Sequence, residues 1–452
     1  MSAVSPRERV GFSSMLVLIG CTLLPAYASA KSEHALMFFP AVSPAMDASL
    51  AVSGDVSRAA TPVAGFMPLA SATTINERIA HLEGAGDFYS PQLAELSEAL
   101  GKTLQAEGEY RSALTAYDRS LQIRRRHEGL ASTSQVALLR SEIECQVALG
   151  DVAATDLLHT ALYAMQQQLF KDRPLALADA QLDFADWNLQ YYLQAERALG
   201  AGSSTPAVDA ELASRLADAF SQYHKALWLL STAPDATQDA SVNDRKVGIE
   251  RKIAGLALMV DRQYQRNSPY TLTKMNQHSF IQDGMFHNPV LSRHGSEALQ
   301  RAITYSAGAD PVVIAQRQLE LADWYLLMDQ HDKAATTYAA ALDSLRSAGV
   351  QEDRIAAIVE SGQPVLGPDR AMSQLLGASQ APADFDGYID VAVDVNRYGL
   401  ASNARVLGGN ADDAGVEADL LQQLRSGRFR PGFDQGVPVD RTDVTVRYYF
   451  AR

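Results

Sequence analysis

One pattern constrains this chain more than any other feature. An alanine is followed at four residues by an aromatic residue or leucine, at seven by a small residue and at eight by leucine. It occurs as Ala113/Tyr117/Ser120/Leu121, Ala154/Leu158/Ala161/Leu162, Ala219/Tyr223/Ala226/Leu227 and Ala334/Tyr338/Ala341/Leu342. Those offsets share one face of an α-helix. The small residues let a neighbouring helix approach, and the large ones fill the space beside it. The surroundings agree: residues 91–348 are rich in Ala, Leu, Gln, Glu and Arg, with Gly and Pro mostly confined to junctions.

Another small residue stands ahead of two of these alanines, at the spacing of a preceding helix: Gly101 before Ala113 and Ala322 before Ala334. Gly108-Glu109-Tyr110 marks a turn between the two predicted helices, and Asp329 replaces the turn glycine in the later copy. A second echo runs through the region. Gln181-Leu182-Asp183-Phe184-Ala185-Asp186-Trp187 nearly repeats as Gln318-Leu319-Glu320-Leu321-Ala322-Asp323-Trp324. Between Ala185 and Ala219 the unit looks expanded, with the break at Gly200-Ala201-Gly202-Ser203-Ser204-Thr205-Pro206. Helix, short turn and helix with small residues at the crossing resemble the tetratricopeptide repeat, most closely over residues 94–127 and about 315–348. The resemblance implies a mainly α, helical solenoid whose groove binds a peptide or protein. The expected packing residues are Gly101, Ala113, Tyr117, Ala185, Ala219, Tyr223, Ala322, Ala334 and Tyr338. Residues 264–297, punctuated by Pro269, Gly284, Pro289 and Gly295, read as an irregular insert. Its His278, His287 and His294, beside Asp283, match no zinc spacing and are expected to be solvated loop residues. Arg124-Arg125-Arg126-His127 reads as a helix end, where cations suit the dipole.

After about Gly349 the composition changes, and Gly362, Pro364, Gly367, Pro368, Gly377 and Pro382 mark a linker over 349–385. Residues 386–452 then read as a small α+β domain. Tyr388 to Val395 alternates as a strand, Arg397-Tyr398-Gly399 turns, and Leu400 to Leu407 returns. Val416, Leu420, Leu421 and Leu424 take helical spacing, and Val444, Val446, Tyr448 and Phe450 alternate in a last strand. This strand-strand-helix-strand order, with Gly387-Tyr388, Arg428-Phe429-Arg430-Pro431 and Gly436-Val437-Pro438-Val439, resembles the C-terminal domain of TonB-family proteins. Phe429, Pro431, Gly436 and Pro438 carry that likeness. In the family such a domain recognises protein partners, chiefly outer-membrane receptors, partly by adding a strand to its sheet edge. The last strand is therefore the expected partner-binding strand, with its edge exposed and Val444, Val446, Tyr448 and Phe450 selecting the partner. Energy-coupling members of the family resemble one another in an N-terminal helix carrying a functional His, which this apolar leader lacks.

That leader, residues 1–30, joins Arg7 and Arg9 to an apolar stretch from Val10 to about Leu24, then Ala28-Ser29-Ala30. It reads as a signal peptide cleaved before Lys31. Two other fates stay open: lipidation at Cys21, within Leu18-Ile19-Gly20-Cys21, or an uncleaved anchor from Val10 to Ala30. Each delivers the rest of the chain outside the cytoplasm, with the periplasm expected, and membrane contact follows only from lipidation or anchoring. Residues 31–90 read as a poorly ordered segment leading into the helical region. Beyond residue 30 the chain carries 37 basic and 52 acidic residues, a net charge of −15, which disfavours nucleic acid as a partner. Cys145 is then the one remaining cysteine, so neither an intramolecular disulfide nor a thiolate metal site is expected.

No Gly-x-Ser-x-Gly, phosphate loop, dinucleotide fingerprint or His-Glu-x-x-His occurs. The acidic pairs Asp183/Asp186 and Asp412/Asp413 read as solvated or capping residues. No catalytic residue, metal or cofactor is expected. The sequence points to a periplasmic adaptor, its repeats binding one protein of the cell envelope and its C-terminal domain another. The alternatives are a TonB-type energy transducer and an envelope scaffold. Mass spectrometry of the mature N-terminus decides the processing step: Lys31 is the expected first residue, and an acylated Cys21 peptide would overturn cleavage there.

Overall fold

The computed structural model describes residues 37–40, 71–199, 205–233, 240–267, 289–360, 362, 365, 387–410 and 414–451. They are mainly helical, with a small antiparallel sheet built largely from the C-terminal part of the chain. The leader lies outside the described residues. The helices are α1 (Ala72–Gly84), α2 (Pro91–Ala106), α3 (Tyr110–Glu128), α4 (Thr133–Leu149), α5 (Val152–Leu169), α6 (Pro174–Leu199) and α7 (Pro206–Thr232). They continue with α8 (Ala240–Asn267), α9 (Pro289–Tyr305), α10 (Pro311–Leu327), α11 (His331–Ser347), α12 (Glu352–Ile358) and α13 (Ala414–Ser426).

Their starts follow from local chemistry. Ser71, Ser90, Ser132, Asp151, Thr205 and Asp310 each accept a backbone N–H of the first turn, which satisfies a donor that the helix itself leaves orphaned. Between α2 and α3 the chain reverses at Gly108 (φ +82°), and between α10 and α11 at Asp329 (φ +54°). Asp329 thus adopts the left-handed conformation that glycine provides in the earlier turn. From α1 to α11 each helix packs against its neighbours in the chain.

The expected packing residues lie in the core. Ala113, Tyr117, Ala185, Ala219, Tyr223, Ala322, Ala334 and Tyr338 are all buried. A Cβ placed on Gly101 would stand 2.5 Å from the Tyr117 ring, so only glycine fits beneath that tyrosine. Cys145 is wholly buried, and its thiol is pushed up by burial and then by Glu144 and Glu142.

Several boundaries differ from the sequence reading. α8 reaches Asn267 and α9 begins at Pro289, so the expected insert is shorter at both ends. His294 is a helical residue whose ring meets Phe220, not a loop histidine, while His278, His287 and Asp283 lie outside the described residues. The long spacing between Ala185 and Ala219 is mostly helix, because α6 continues to Leu199 and α7 already begins at Pro206. Within 349–385, α12 and the stretch after it are anchored: Ile355, Ile358, Val359 and Val365 are buried. Within 31–90, residues 37–40 form a strand and α1 is a capped helix with Ile75 and Ile79 buried.

The sheet runs β1 (Met37–Pro40), β6 (Arg441–Ala451), β2 (Gly387–Val395), β3 (Ala401–Gly409), all antiparallel. β4 (Gly432–Asp434) and β5 (Val437–Val439) form a separate hairpin, which strand-strand-helix-strand had not included. It comes from the Gly436-Val437-Pro438-Val439 run, with Gln435 and Gly436 at positive φ in its turn. Ile389, Val391, Val393 and Val395 alternate onto one face and pack with Val416, Leu420 and Leu424 of α13 and with Phe429.

Among the described residues, Glu142 is a buried carboxyl for which no ion pair is found. Glu142 on α4 is almost wholly buried, its Oε1 lacks a partner, and burial with nearby Asp118 raises its pKa to about 7 despite Arg125. The folded state therefore holds a proton that the unfolded chain releases near its ordinary value, and stability declines as pH rises between the two. Glu142→Gln should stabilise the protein by on the order of 2 kcal/mol at about pH 8 and by little at about pH 5. Thermal melts across this range check it, and a pH-independent difference would contradict the buried-carboxylate account.

Candidate interaction sites

The repeated heptapeptide explains how successive helix pairs are joined. Its third residue, Asp183 or Glu320, forms an ion pair with an arginine of the preceding pair: Arg140 on α4 and Arg251 on α8. Its seventh residue, Trp187 or Trp324, donates its indole N–H backwards, to Asp156 at 2.8 Å and to the Ser292 carbonyl at 3.1 Å. The sixth residue points forward. Asp186 accepts the hydroxyl of Tyr223 and both bonds from Lys252 Nζ on α8, at 2.6 and 2.7 Å.

At Asp323 the same arrangement recurs with a different cation. Tyr338 donates its hydroxyl to Asp323 Oδ1 at 2.6 Å, as Tyr223 does to Asp186. The guanidinium of Arg430 takes the place of Lys252: its Nε lies 2.9 Å from Oδ1 and one terminal nitrogen 2.6 Å from Oδ2. Arg430 comes from the segment between α13 and β4, so the C-terminal layer occupies the position of a following helix pair. The surroundings are drier here. Arg430 and Asp323 side chains are 9% and 5% exposed, against 20% and 46% for Lys252 and Asp186. Burial alone would make Arg430 release its proton more readily, but the Asp323 carboxylate outweighs it and holds the guanidinium charged. Burial, then Asp323, drives the Tyr338 hydroxyl well above its ordinary range.

Neighbouring contacts complete the junction. Arg428 reaches Asp329 at 3.0 Å, the Phe433 ring lies 4.9 Å from that of Tyr338, and Tyr398 packs on His331. Gly399 (φ +74°) approaches so closely that a Cβ there would stand 2.5 Å from the Phe429 carbonyl and 2.9 Å from Leu326. Gly362 and Val365 donate backbone N–H groups to the carbonyls of Arg430 and Arg428. The motif residues Phe429 and Pro431 are buried, Phe429 in the core of the sheet and α13, and Gly436 lies against Ala339. Pro438 stands on β5 opposite Phe433.

Two surface features of the described residues bear on the expected binding sites. A groove of about 540 Å³ opens between α2, α3 and α4, lined by Lys102, Gln105, Tyr110, Tyr117, Ser141 and Glu144. The buried Tyr117 hydroxyl, pushed up to about 12 by burial, donates to Gln105 Oε1 at 2.7 Å. Lys102 follows Gly101 as Asp186 follows Ala185, so the sign of the charge at this position is inverted.

The second surface is the outer edge of β6, and here the expectations need two corrections. Val444, Val446, Tyr448 and Phe450 cannot act as partner-reading side chains, because they share a face with Ile389, Val391 and Val393. Tyr448 and Phe450 are buried in the sheet's own core, and Val446 packs against it. Nor is the edge wholly open, since β1 pairs with Tyr448 to Ala451. From Arg441 to Arg447 the side of β6 away from β2 has no partner among the described strands. Arg447 itself is engaged, bonding Asp390 at 2.7 and 2.9 Å and lying over Tyr388.

Sequence reasoning missed Asp323, Arg430 and Lys252 as junction residues. The available signal was the aspartate standing at the same place in both copies of the heptapeptide. Asp183 and Asp186 are ion-paired structural residues, while Asp412 and Asp413 lie outside the described residues. Among the described residues no group of three or more His, Cys, Asp or Glu is placed to hold a metal, and no helix is long and apolar enough to cross a membrane.

No family model and no curated protein matches this chain. Among solved structures, the crystal structure of BtubC (BKLC) from P. vanneervenii is similar over 65% of this chain and 91% of that one. The identity is 15% and the TM-score 0.31, an overlap too loose to carry an argument.

The two junctions differ in burial, and their variants should differ in cost. Asp323→Asn leaves a buried guanidinium without its counter-charge and should cost about 3–5 kcal/mol. Asp186→Asn, at a half-exposed carboxylate, should cost about 1 kcal/mol or less. Denaturant titrations measure both, and equal losses would refute the assignment of Arg430 as the buried anchor.

Proposed function

We propose that this chain is an exported protein-protein interaction adaptor of the cell envelope. In this reading its helix pairs are tetratricopeptide-type units and its C-terminal layer is a TonB-C-like domain that closes their stack. The observation that carries the proposal is that, among the described residues, no strand pairs with the side of β6 away from β2 from Arg441 to Arg447. A strand edge with free N–H and C=O groups is a template for an added strand, whose backbone provides affinity. The groove beside Tyr117 is the corresponding candidate surface on the helices, polar and suited to a peptide with hydrogen-bonding side chains.

Domain docking shapes how the adaptor works. Because Arg428 and Arg430 are committed to the junction, the C-terminal layer offers partners its strand edge and not its arginine motif. The two surfaces then belong to one connected body, and a partner on the helices is held at a set position relative to a partner on the sheet.

In an antiparallel ladder successive residues direct their N–H groups to opposite sides. One of Thr445→Pro and Val446→Pro therefore removes an outward donor while sparing the pairing with β2. Affinity capture from envelope extracts, quantified by mass spectrometry, should lose a defined partner set with that variant while its melting temperature stays near that of the parent chain. Retention of every partner by both variants would refute strand addition at this edge.

A further inference from the structure

The β1–β6 pairing joins opposite ends of the sequence. Met37, Phe38, Phe39 and Pro40 stand opposite Ala451, Phe450, Tyr449 and Tyr448. A four-residue ladder closed over so long a chain is weakly held, since loop closure costs entropy and each short ladder gains few bonds. The ladder also has a built-in stop. Pro40 has no N–H, so it donates nothing at the point where the described pairing ends and the part of β6 without a described partner strand begins. The register sets Phe38 opposite Phe450 and Phe39 opposite Tyr449, so the sequence of β1 offers this edge an aromatic residue at two successive positions.

We infer that Met37–Pro40 is a displaceable occupant of the β6 edge, and that this edge takes extended segments with adjacent aromatic residues. The inference rests on the strand-addition reading above and names both the chemistry of the partner and the means of its regulation. With β1 seated, an incoming strand can pair only with the part of β6 before Tyr448. With β1 displaced, the whole of β6 is available. A partner segment containing an aromatic pair competes directly for the register of Phe38 and Phe39.

The probe is a fluorescein-labelled synthetic peptide of residues 34–43, added to the full exported chain. Phe38→Pro and Phe39→Pro are compared, because one of them removes an N–H directed at β6. In that variant, amide exchange at those positions of Tyr448–Ala451 that face away from β2 should accelerate, and the peptide should bind at least tenfold more tightly than to the parent. A peptide with both phenylalanines changed to serine should lose that gain. The double variant Phe39→Cys/Tyr449→Cys, oxidised, should exclude the peptide and admit it again on reduction. Unchanged exchange in both proline variants would overturn the cis strand, as would a disulfide that forms only between two chains. Faster exchange without peptide binding would instead overturn the strand-addition reading while leaving the β1 pairing intact. Equal binding of the serine peptide would overturn the aromatic preference.

Discussion

A guanidinium buried against a carboxylate holds the two halves of this molecule together. Desolvating Arg430 and Asp323 is expensive, and their attraction offsets that cost only because the geometry is close to ideal. Two nitrogens of the fork meet two oxygens, Tyr338 supplies a further donor, and another nitrogen reaches the Ile358 carbonyl. Such pairs contribute little net stability but penalise every misplacement severely. Other contacts surround it: Gly399 closes on Leu326, Phe433 on Tyr338 and Arg428 on Asp329.

The position of that pair also explains how the helical stack ends. α10 and α11 leave an apolar face after the last helix pair, and that face is covered. Here the cover is of another architecture, a sheet and hairpin that present a cation to Asp323 as α8 presents Lys252 to Asp186. Lysine suffices at the wetter junction, where a point charge can remain partly hydrated. The drier one uses arginine, whose planar fork satisfies two carboxylate oxygens at once. Phe433 and Val365 then add the apolar area that a following helix would have contributed.

Much of the helical architecture was legible because it is local. The Ala/Tyr/Leu spacing needs only the period of a helix, and Ala113, Tyr117, Ala334 and Tyr338 are buried as that spacing requires. Asp329 could be recognised as a turn residue from its place in the repeat. The hairpin at Arg397-Tyr398-Gly399 follows from one glycine at positive φ. What could not be read depends on contacts between distant segments. Nothing near Arg430 in sequence announces Asp323, and the alternation of Val444 to Phe450 does not say which face is buried. The β1 strand is the extreme case, four residues whose pairing partner lies at the other end of the chain.

That strand also distinguishes the two sides of the sheet. β3, at one edge, is irregular: its pairing with β2 shifts register twice, and Asn403 adopts positive φ. Bulges and kinks of this kind spoil an edge as a template permanently. β6 has one such irregularity, at Asp443 near its entry, and pairs regularly with β2 from Val444 onward. From Val444 onward this regular edge carries one charged residue, Arg447, with Arg441 and Asp443 at the strand's entry, and so thin a guard suits an edge that is covered in part when idle. Along Tyr448 to Ala451 a short strand from the same chain meets that need at the cost of a few backbone bonds, while Val444 to Arg447 has no partner among the described strands on that side. The same economy makes the cover removable, which a kinked edge such as β3 is not.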